Sequence, residues 1–505
     1  MDLDKVKSNQ KQTVYYDGGC PMCTVLMEKV TNSDQSTAFD FNNVENDSLP
    51  ESIKKEEAEK EIHVVDEYGK IYKNSDAIFQ IFSQYPNLKF LSKLGRLPII
   101  GDISQLIYKF VARNRYFIFG KAARVFWLKV IVVFGLISGL LLSTRLWLGV
   151  RIFPHIPVIS DIFKVSANTE IILFITLIST LLYIVFSSKP KKAIFLAIAV
   201  CLFFAFFDQM RWQPWFFQYV FMLSLLGAFS WNHKDSLGIE RVLNANRLIV
   251  ASVYFFSGLQ KLNLTFTDEI FPWMVKPIVN LLPSVLELHI HQLGTLVPFI
   301  EIAIGIGLLT NRFRKSAVIL AMMSILFILA TLGPFGNNWN SVVWPWNIVM
   351  LIIVPLLFWN IPNFSVKDIF WPKNNFFQKV VVLFFVISPI FSFFNLWDSY
   401  LSFALYSGNV NSARIYVSDR FKERSPDELN IHLTAVEPNI HELNLFMWSI
   451  NELNVPIYPE TRIFKGVAKE ICKYAYTRQD LVLEIKGKPT IFNADNLTYY
   501  NCSNL

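Results

Sequence analysis

Charge is scarce in this 505-residue chain: Asp, Glu, Lys and Arg make up 17% of it, where a soluble globular protein carries about 25%. With 53% hydrophobic residues, 15% aromatics and a mean hydropathy of +0.36, this scarcity excludes a disordered chain, a collagen-like fibre and a single soluble domain. It predicts a polytopic membrane protein. Cysteine is scarce too, and five in the whole chain cannot supply a disulfide scaffold. Met1–Gln12 is polar and has no apolar run of the kind that opens a secretory signal. The first domain is therefore expected to fold in the cytoplasm. The net charge of +7 implies no nucleic-acid partner, because the basic residues sit in short blocks beside apolar runs.

What charge there is divides unevenly. From Met1 to Leu88 there are 9 Lys/Arg against 16 Asp/Glu, a balance of −7. From Lys89 to Lys129 there are 9 Lys/Arg against Asp102 alone, a balance of +8. An acidic domain over 1–88 is thus expected, then a basic amphipathic linker over 89–125. A transmembrane helical domain over 126–398 and a small α+β extramembrane domain over 399–505 complete the chain.

Nine apolar runs have the character of spanning helices, at roughly 126–144, 170–187, 192–208, 214–231, 244–262, 293–310, 315–333, 341–359 and 379–398. With the N-terminus inside, the inner loops and span edges hold twelve Lys/Arg, among them Arg247 and Arg314, and the outer ones six. That is the positive-inside pattern. An odd number of spans puts the tail on the opposite side. The expected product is an integral membrane protein, of the inner membrane if bacterial, with a cytoplasmic N-terminus and a periplasmic C-terminus. Cys472 and Cys502 then lie where a disulfide can form, and Cys20 and Cys23 where thiols stay reduced.

The first domain reads as alternating α and β. Thr13–Asp17 and Ala38–Asn42 are strand-like. Ile62–Asp66 and Lys70–Lys73 form a hairpin about Tyr68-Gly69, and Asp76–Ser83 is a helix. Between the first two strands, Cys20-Pro21-Met22-Cys23 starts a helix after Gly18-Gly19. This is a thioredoxin-like plan. A thiolate at a helix N-terminus is stabilised by unpaired N–H groups and the dipole. Cys20 should be the more exposed and more acidic thiol, with Cys23 one turn inside. Redox work, an inactive relic and half of a zinc site all remain open, although His63 is the only histidine in the domain. No metal is expected.

The run Tyr16-Asp17-Gly18-Gly19-Cys20-Pro21-Met22-Cys23 resembles the DCC family of thiol-disulfide oxidoreductases, named for its D-x-x-C-x-x-C motif. The resemblance continues through His63-Val64-Val65-Asp66, Gly69, Ala77, Leu97-Pro98 and Val111-Ala112-Arg113-Asn114-Arg115-Tyr116. It implies redox roles for Cys20 and Cys23. Ordinary thioredoxins place a cis-proline before the late hairpin; here those residues are Glu59-Lys60-Glu61.

Within the membrane part, Lys261 is the clearest candidate, since an ionisable residue at a span is costly. Apolar surroundings favour its neutral amine, a base; alternatively it snorkels to the headgroups. The segment Tyr254-Phe255-Phe256-Ser257-Gly258-Leu259-Gln260-Lys261-Leu262 is similar to that around the catalytic lysine of vitamin K-dependent gamma-carboxylase, in the horizontally transferred transmembrane domain family. That resemblance implies Lys261 as the base acting on a reduced quinone of menaquinone or vitamin K type. Tyr254 and Gly258 would leave room for its ring. Trp215 stands where the carboxylase has a histidine, so glutamate carboxylation itself is not implied.

Glu301 is a lone carboxylate inside a run, suited to a proton relay or to pairing with a cation, or else a protonated, hydrogen-bonded packing residue. With Gly305 and Leu308 it resembles DoxX-like membrane proteins. The tryptophan-rich run around Trp344, Trp346 and Asn347 reads either as an interfacial aromatic belt or as a wall for a quinone ring. Asp208 and Arg211 flank an outer turn, where they either bind a polar headgroup or pair with each other. The favoured reading is a carboxylase-like membrane enzyme using a lipid quinol, coupled to or regulated by the CxxC domain. A protein or peptide substrate at the outer face is its expected partner. The other reading is a membrane scaffold or transporter with a thioredoxin-like interaction module.

Overall fold

The computed structural model describes residues 11–20, 23–24, 27–28, 38–119, 122–159, 165–283, 287–371, 375–490 and 496–505. The chain separates into two compact units. One is Met1–Trp127 with Trp231–Ile239; the other is Leu128–Ser230 with Glu240–Leu505.

The first unit is built on a four-stranded sheet of β1 (Gln12–Tyr16), β2 (Phe39–Asn43), β3 (His63–Val65) and β4 (Ile71–Lys73), in the order β2-β1-β3-β4. β1 and β2 are parallel, while β3 is antiparallel to both β1 and β4. Side chains alternate between the faces of a strand. Val14 accordingly packs on one face with Met27, Phe39, Val64, Ala77 and Ile81. Tyr15 packs on the other with Val44, Ile53 and Ala58. Asp66 Oδ1 closes the β3–β4 turn by accepting from the N–H groups of Tyr68 and Lys70, at 3.0 and 2.9 Å. Gly69 takes the φ of +80° that this turn requires. Helix Asn74–Gln84 follows. The expected strand, CxxC, strand, hairpin and helix order is present.

Residues 89–125 are not a linker. Helices Lys89–Gly95 and Pro98–Ile118 belong to this unit, and Tyr108 and Arg115 of the longer one bond into the sheet domain. The basic residues disguised this: their charge reads as solvent-exposed, yet Arg115 is buried.

In the second unit all nine apolar runs contain helices, but nine spans are not established. Six helices are long and apolar enough to cross a membrane: Ala123–Leu142 (which begins in the first unit), Ala167–Phe186, Ser236–Gln260, His289–Leu309, Arg314–Leu332 and Phe376–Phe394. Lys191–Phe207, Pro214–Ala228 and Val343–Phe358 have only 17, 15 and 16 residues. At about 1.5 Å per residue they fall short of a hydrocarbon core about 30 Å thick. Ser236–Gln260 is the most buried of the six, with 78% of its apolar window buried.

Several basic residues cap helix ends. Lys129 donates to the carbonyls of Val185 and Ser187 at 3.0 and 2.9 Å. Arg247 Nε donates to Leu357 O at 2.9 Å. Each places a cation against carbonyls that a helix C-terminus leaves unpaired.

The tail contributes an antiparallel sheet of β5 (Ser412–Ser418), β6 (Leu433–Glu437), β7 (Ile440–Asn444), β8 (Leu481–Lys486) and β9 (Leu497–Asn501), ordered β6-β7-β5-β8-β9. Most of the strand expected at Thr490–Phe492 lies outside the described residues. Cys472 and Cys502 are joined as a disulfide, separated by 30 residues. It ties the end of helix Thr461–Ile471 to the chain just past β9. Replacing both by serine is expected to cost about 2–4 kcal/mol. Thermal unfolding of the purified protein with and without reductant would measure it, and a transition indifferent to reductant would contradict it.

Candidate functional sites

β1 runs directly into Asp17-Gly18-Gly19-Cys20, and Cys23 and Thr24 are helical. Gly18 N–H donates to Asn43 Oδ1 at 3.1 Å, so the turn is held against the end of β2. A Cβ on Gly18 would overlap the Asn43 amide at 2.1 Å. The Cys23 thiol lies 2.7 Å from Cys20 Sγ and donates to it, and the Cys23 N–H donates to the same sulfur at 3.3 Å.

These contacts favour negative charge on Cys20 over Cys23. The Cys23 S–H holds the Cys20 thiol down to about 7, aided by the Cys23 N–H and by Arg115, against the opposing effect of burial. Cys23 is pushed up, because its proton is engaged by Cys20 and because it is buried. The expected acidity order is present, but the expected exposure is reversed. Cys20 is fully buried, while Cys23 is only partly so. Cys23, not Cys20, lines a cavity of about 360 Å³ with Tyr16, Asp17, Met27, Phe79, Tyr108 and Arg115. Cys20 Sγ instead accepts from the N–H and the thiol of Cys23.

Asp17 anchors the site. Its Oδ2 accepts from Arg115 Nη2 and from Tyr116 O–H, both at 2.5 Å, and its Oδ1 accepts from Gly19 N–H at 3.0 Å. Arg115 also donates to Lys60 O at 2.7 Å and to Glu59 O. The Ile62 N–H donates to Tyr108 Oη at 2.8 Å. The segment where thioredoxins carry a cis-proline thus binds a guanidinium. Sequence spacing could not reveal this ion pair, whose partners are 98 residues apart. Burial pushes His63 down. Among the described residues, His63, Glu57 and Glu61 lie close enough together to share an ion, and neither thiol joins them.

The second site is in the membrane unit. Lys261 follows the last turn of Ser236–Gln260 and is buried, as is Glu301. Its Nζ lies 2.6 Å from Glu301 Oε2 and 2.5 Å from Ser257 Oγ. The lysine anticipated as a lone amine in apolar surroundings is instead half of a buried ion pair. The pair faces a cavity of about 120 Å³ lined also by Tyr254, Phe266, Trp346, Asn347, Phe403 and Tyr406. Trp346 Nε1 donates to Gln218 Oε1 at 2.9 Å and Asn347 Nδ2 to Val343 O at 2.9 Å.

Three expected members are elsewhere. Gly258 lies against helix Val297–Leu309, where a Cβ would meet Pro298 O at 2.6 Å and Ile302 N at 2.8 Å. Its missing side chain admits a helix, not a ring. Trp215 packs among Trp147, Phe216 and Tyr219. Trp344 donates to Leu332 O and Trp339 O. Ser257 and Tyr406 were missed, as hydroxyls in apolar runs carry no spacing signal. Asp208 and Arg211 lie 3.8 Å apart, but the stronger partners are Arg151 for Asp208 and Glu170, at 2.7 Å, for Arg211.

No curated protein and no solved structure matches this chain. The family comparison does reach the thiol site, and its match ends just before the first candidate span at Ala123. Residues 14–121, which hold Asp17, Cys20, Cys23 and Arg115, match the family described as DCC1-like thiol-disulfide oxidoreductase.

Proposed function

We propose that this is a membrane-integrated thiol redox protein whose working couple is the Cys20–Cys23 dithiol and its disulfide. The 2.7 Å contact between the two sulfurs carries this reading. A thiolate at Cys20 is in place to attack Cys23 Sγ once Cys23 is covalently bonded to an oxidised partner, which then leaves with the electron pair as the disulfide closes. The test is a titration of the full chain in glutathione buffers, followed by alkylation and mass analysis. A reversible two-electron couple confined to Cys20 and Cys23 is expected. Thiols that stay alkylatable at every oxidised-to-reduced ratio would defeat the reading.

The same site predicts a pH dependence. The thiolate absorbance lost in Cys20→Ala should titrate near pH 7, and Cys23→Ala should move the Cys20 titration up toward about 8.5. Stability follows the same sign. A thiol whose folded value is depressed contributes stability that grows as pH rises from about 7 to about 8.5, and contributes none below that window. A Cys20 titration unmoved by Cys23→Ala would contradict the assignment.

A second reading concerns the membrane cavity. Lys261, Glu301, Tyr254, Trp346 and Asn347 share it. That grouping favours a base site for the acidic hydroxyl of a reduced lipid quinone, with Glu301 taking the proton from Lys261. A peptide substrate at the outer face would belong to the same reading. The cavity is small beside ligand sites of about 300–1,000 Å³. Only a ring edge would reach the pair without side-chain movement.

We further propose a cytoplasmic thiol unit and an outward-facing tail. The free thiols of Cys20 and Cys23 and the Cys472–Cys502 disulfide support this order. A membrane-impermeant maleimide should leave Cys20 and Cys23 unlabelled in intact cells and label Cys23 after permeabilisation. Labelling without permeabilisation would reverse the orientation.

A further inference from the structure

The cavity beside Cys23 is walled mainly by apolar and aromatic side chains, including Met27, Phe79 and Ile107. Its polar lining includes Arg115, Asp17, Glu61, Ser75 and Ser104, and among the described residues its one cation is Arg115. That guanidinium is 7% exposed, and its Nε–H has no hydrogen-bond partner among the described residues. An orphaned buried donor is costly. A ligand bearing a carbonyl oxygen would satisfy it.

The surroundings of the cavity indicate where such a ligand is dissolved. Helix Pro98–Ile118 leaves Ile99, Ile103, Leu106 and Ile107 exposed, at 76, 50, 68 and 58%. Ile99, Ile103, Leu106 and Ile107 follow the three- and four-residue steps of one helix face. Lys109 and Arg113 are exposed on the same helix. An exposed apolar stripe with basic residues beside it fits the interface of an anionic bilayer. The chain supports that occupant independently. Only four residues separate Ile118 from Ala123, the start of a candidate span. They reach at most about 17 Å, so the helix end cannot lie far from the membrane surface. Ile107 belongs to both the stripe and the cavity wall.

We infer that the electron acceptor of the Cys20–Cys23 pair is a lipid-dissolved quinone that enters along this stripe and offers a carbonyl oxygen to Arg115 Nε. The inference rests on the thiol redox reading and names its substrate class. In the reaction, Cys20 takes the Cys23 proton across their 2.7 Å contact as Cys23 Sγ adds to a quinone carbon, and the displaced carbonyl electron pair moves onto oxygen. Cys20 then passes that proton to the ring oxygen and attacks Cys23 Sγ, and the sulfur–carbon bond breaks with its electron pair going to the ring. The pair loses two electrons and the Cys23 proton, and one further proton enters from water. One disulfide and one quinol result. The quinol is the species that the second reading assigns to Lys261.

The experiment uses the reduced full-length protein in lipid nanodiscs under anaerobic conditions. Decylubiquinone, whose ring is fully substituted, is added, and quinol absorbance and free thiols are followed together. One quinol per chain is expected, with the loss confined to Cys20 and Cys23. Ile107→Asp should raise the decylubiquinone concentration that half-saturates the rate of thiol loss about tenfold, and an unchanged value would overturn entry by this route. Oxidation by glutathione disulfide but not by decylubiquinone would overturn the quinone inference and leave the redox reading standing. Oxidation by neither would overturn both.

Discussion

Replacing Asp17 with alanine should destabilise the thiol unit by about 3–5 kcal/mol, the cost of stripping one partner from a buried ion pair. Asp17 accepts from Arg115, Tyr116 and Gly19. Without it, Arg115 stays buried with its charge unopposed, although Glu59 O and Lys60 O still accept from it. Those carbonyls also limit what a second substitution can restore. The double variant Asp17→Leu/Arg115→Met should regain more than half of the loss, because the isolated charge has gone. Hydrogen exchange of β1 amides in the full chain is the readout. Exchange in Asp17→Ala should quicken roughly a hundredfold or more, as a loss of about 3 kcal/mol implies. Exchange within a fewfold of the wild type would show that Arg115 finds water instead. In this chain Asp17 thus has a structural part: it fixes the arginine that lies near Cys20.

Local signals in the sequence survived into the structure, and long-range ones did not. The strand alternation at Val14 and Tyr15, the Tyr68-Gly69 turn and the CxxC at a helix start all follow from neighbours a few residues apart. They were legible. The apolar runs were legible as helices, because composition alone demands burial or lipid. Whether a helix spans depends on its length, and caps decide length. Proline at the start of Pro214–Ala228 and a non-helical residue at its end shorten that helix to 15 residues, which a hydropathy run does not reveal. Charge counting misled for a related reason. Arg115, Arg247 and Arg314 look like surface or loop cations, yet all three are buried, held by carbonyls or a carboxylate. Gly258 misled because a missing side chain marks close approach without saying by what; here it is the Pro298–Ile302 backbone. The sequence left Glu301 open between a proton relay, a partner for a cation and a packing residue, and only the fold brings it, 40 residues on, to Lys261.

Lys261→Arg is the sharpest test of the membrane cavity. Arginine can keep the charge pairing with Glu301, so the variant should insert and fold, but a guanidinium stays protonated and cannot act as a base. If Lys261 takes a proton from a reduced quinone, quinol oxidation in Lys261→Arg should fall at least a hundredfold, within the usual range for loss of a general base. Lys261→Met is the less clean variant. It leaves the Glu301 carboxylate buried with no cation beside it, and such a break costs about 3–5 kcal/mol. Adding Glu301→Gln removes the stranded charge and should restore most of that stability, while quinol oxidation stays lost. The pattern separates the two roles of the pair. A purely structural pair would give full turnover in Lys261→Arg and recovered turnover in the double variant. A base would give neither, however well both proteins fold. Quinol oxidation by each purified variant in nanodiscs, beside its thermal unfolding curve, decides between them. Full turnover in Lys261→Arg would sink the base reading and leave Lys261 as the cation that neutralises Glu301 inside the bundle.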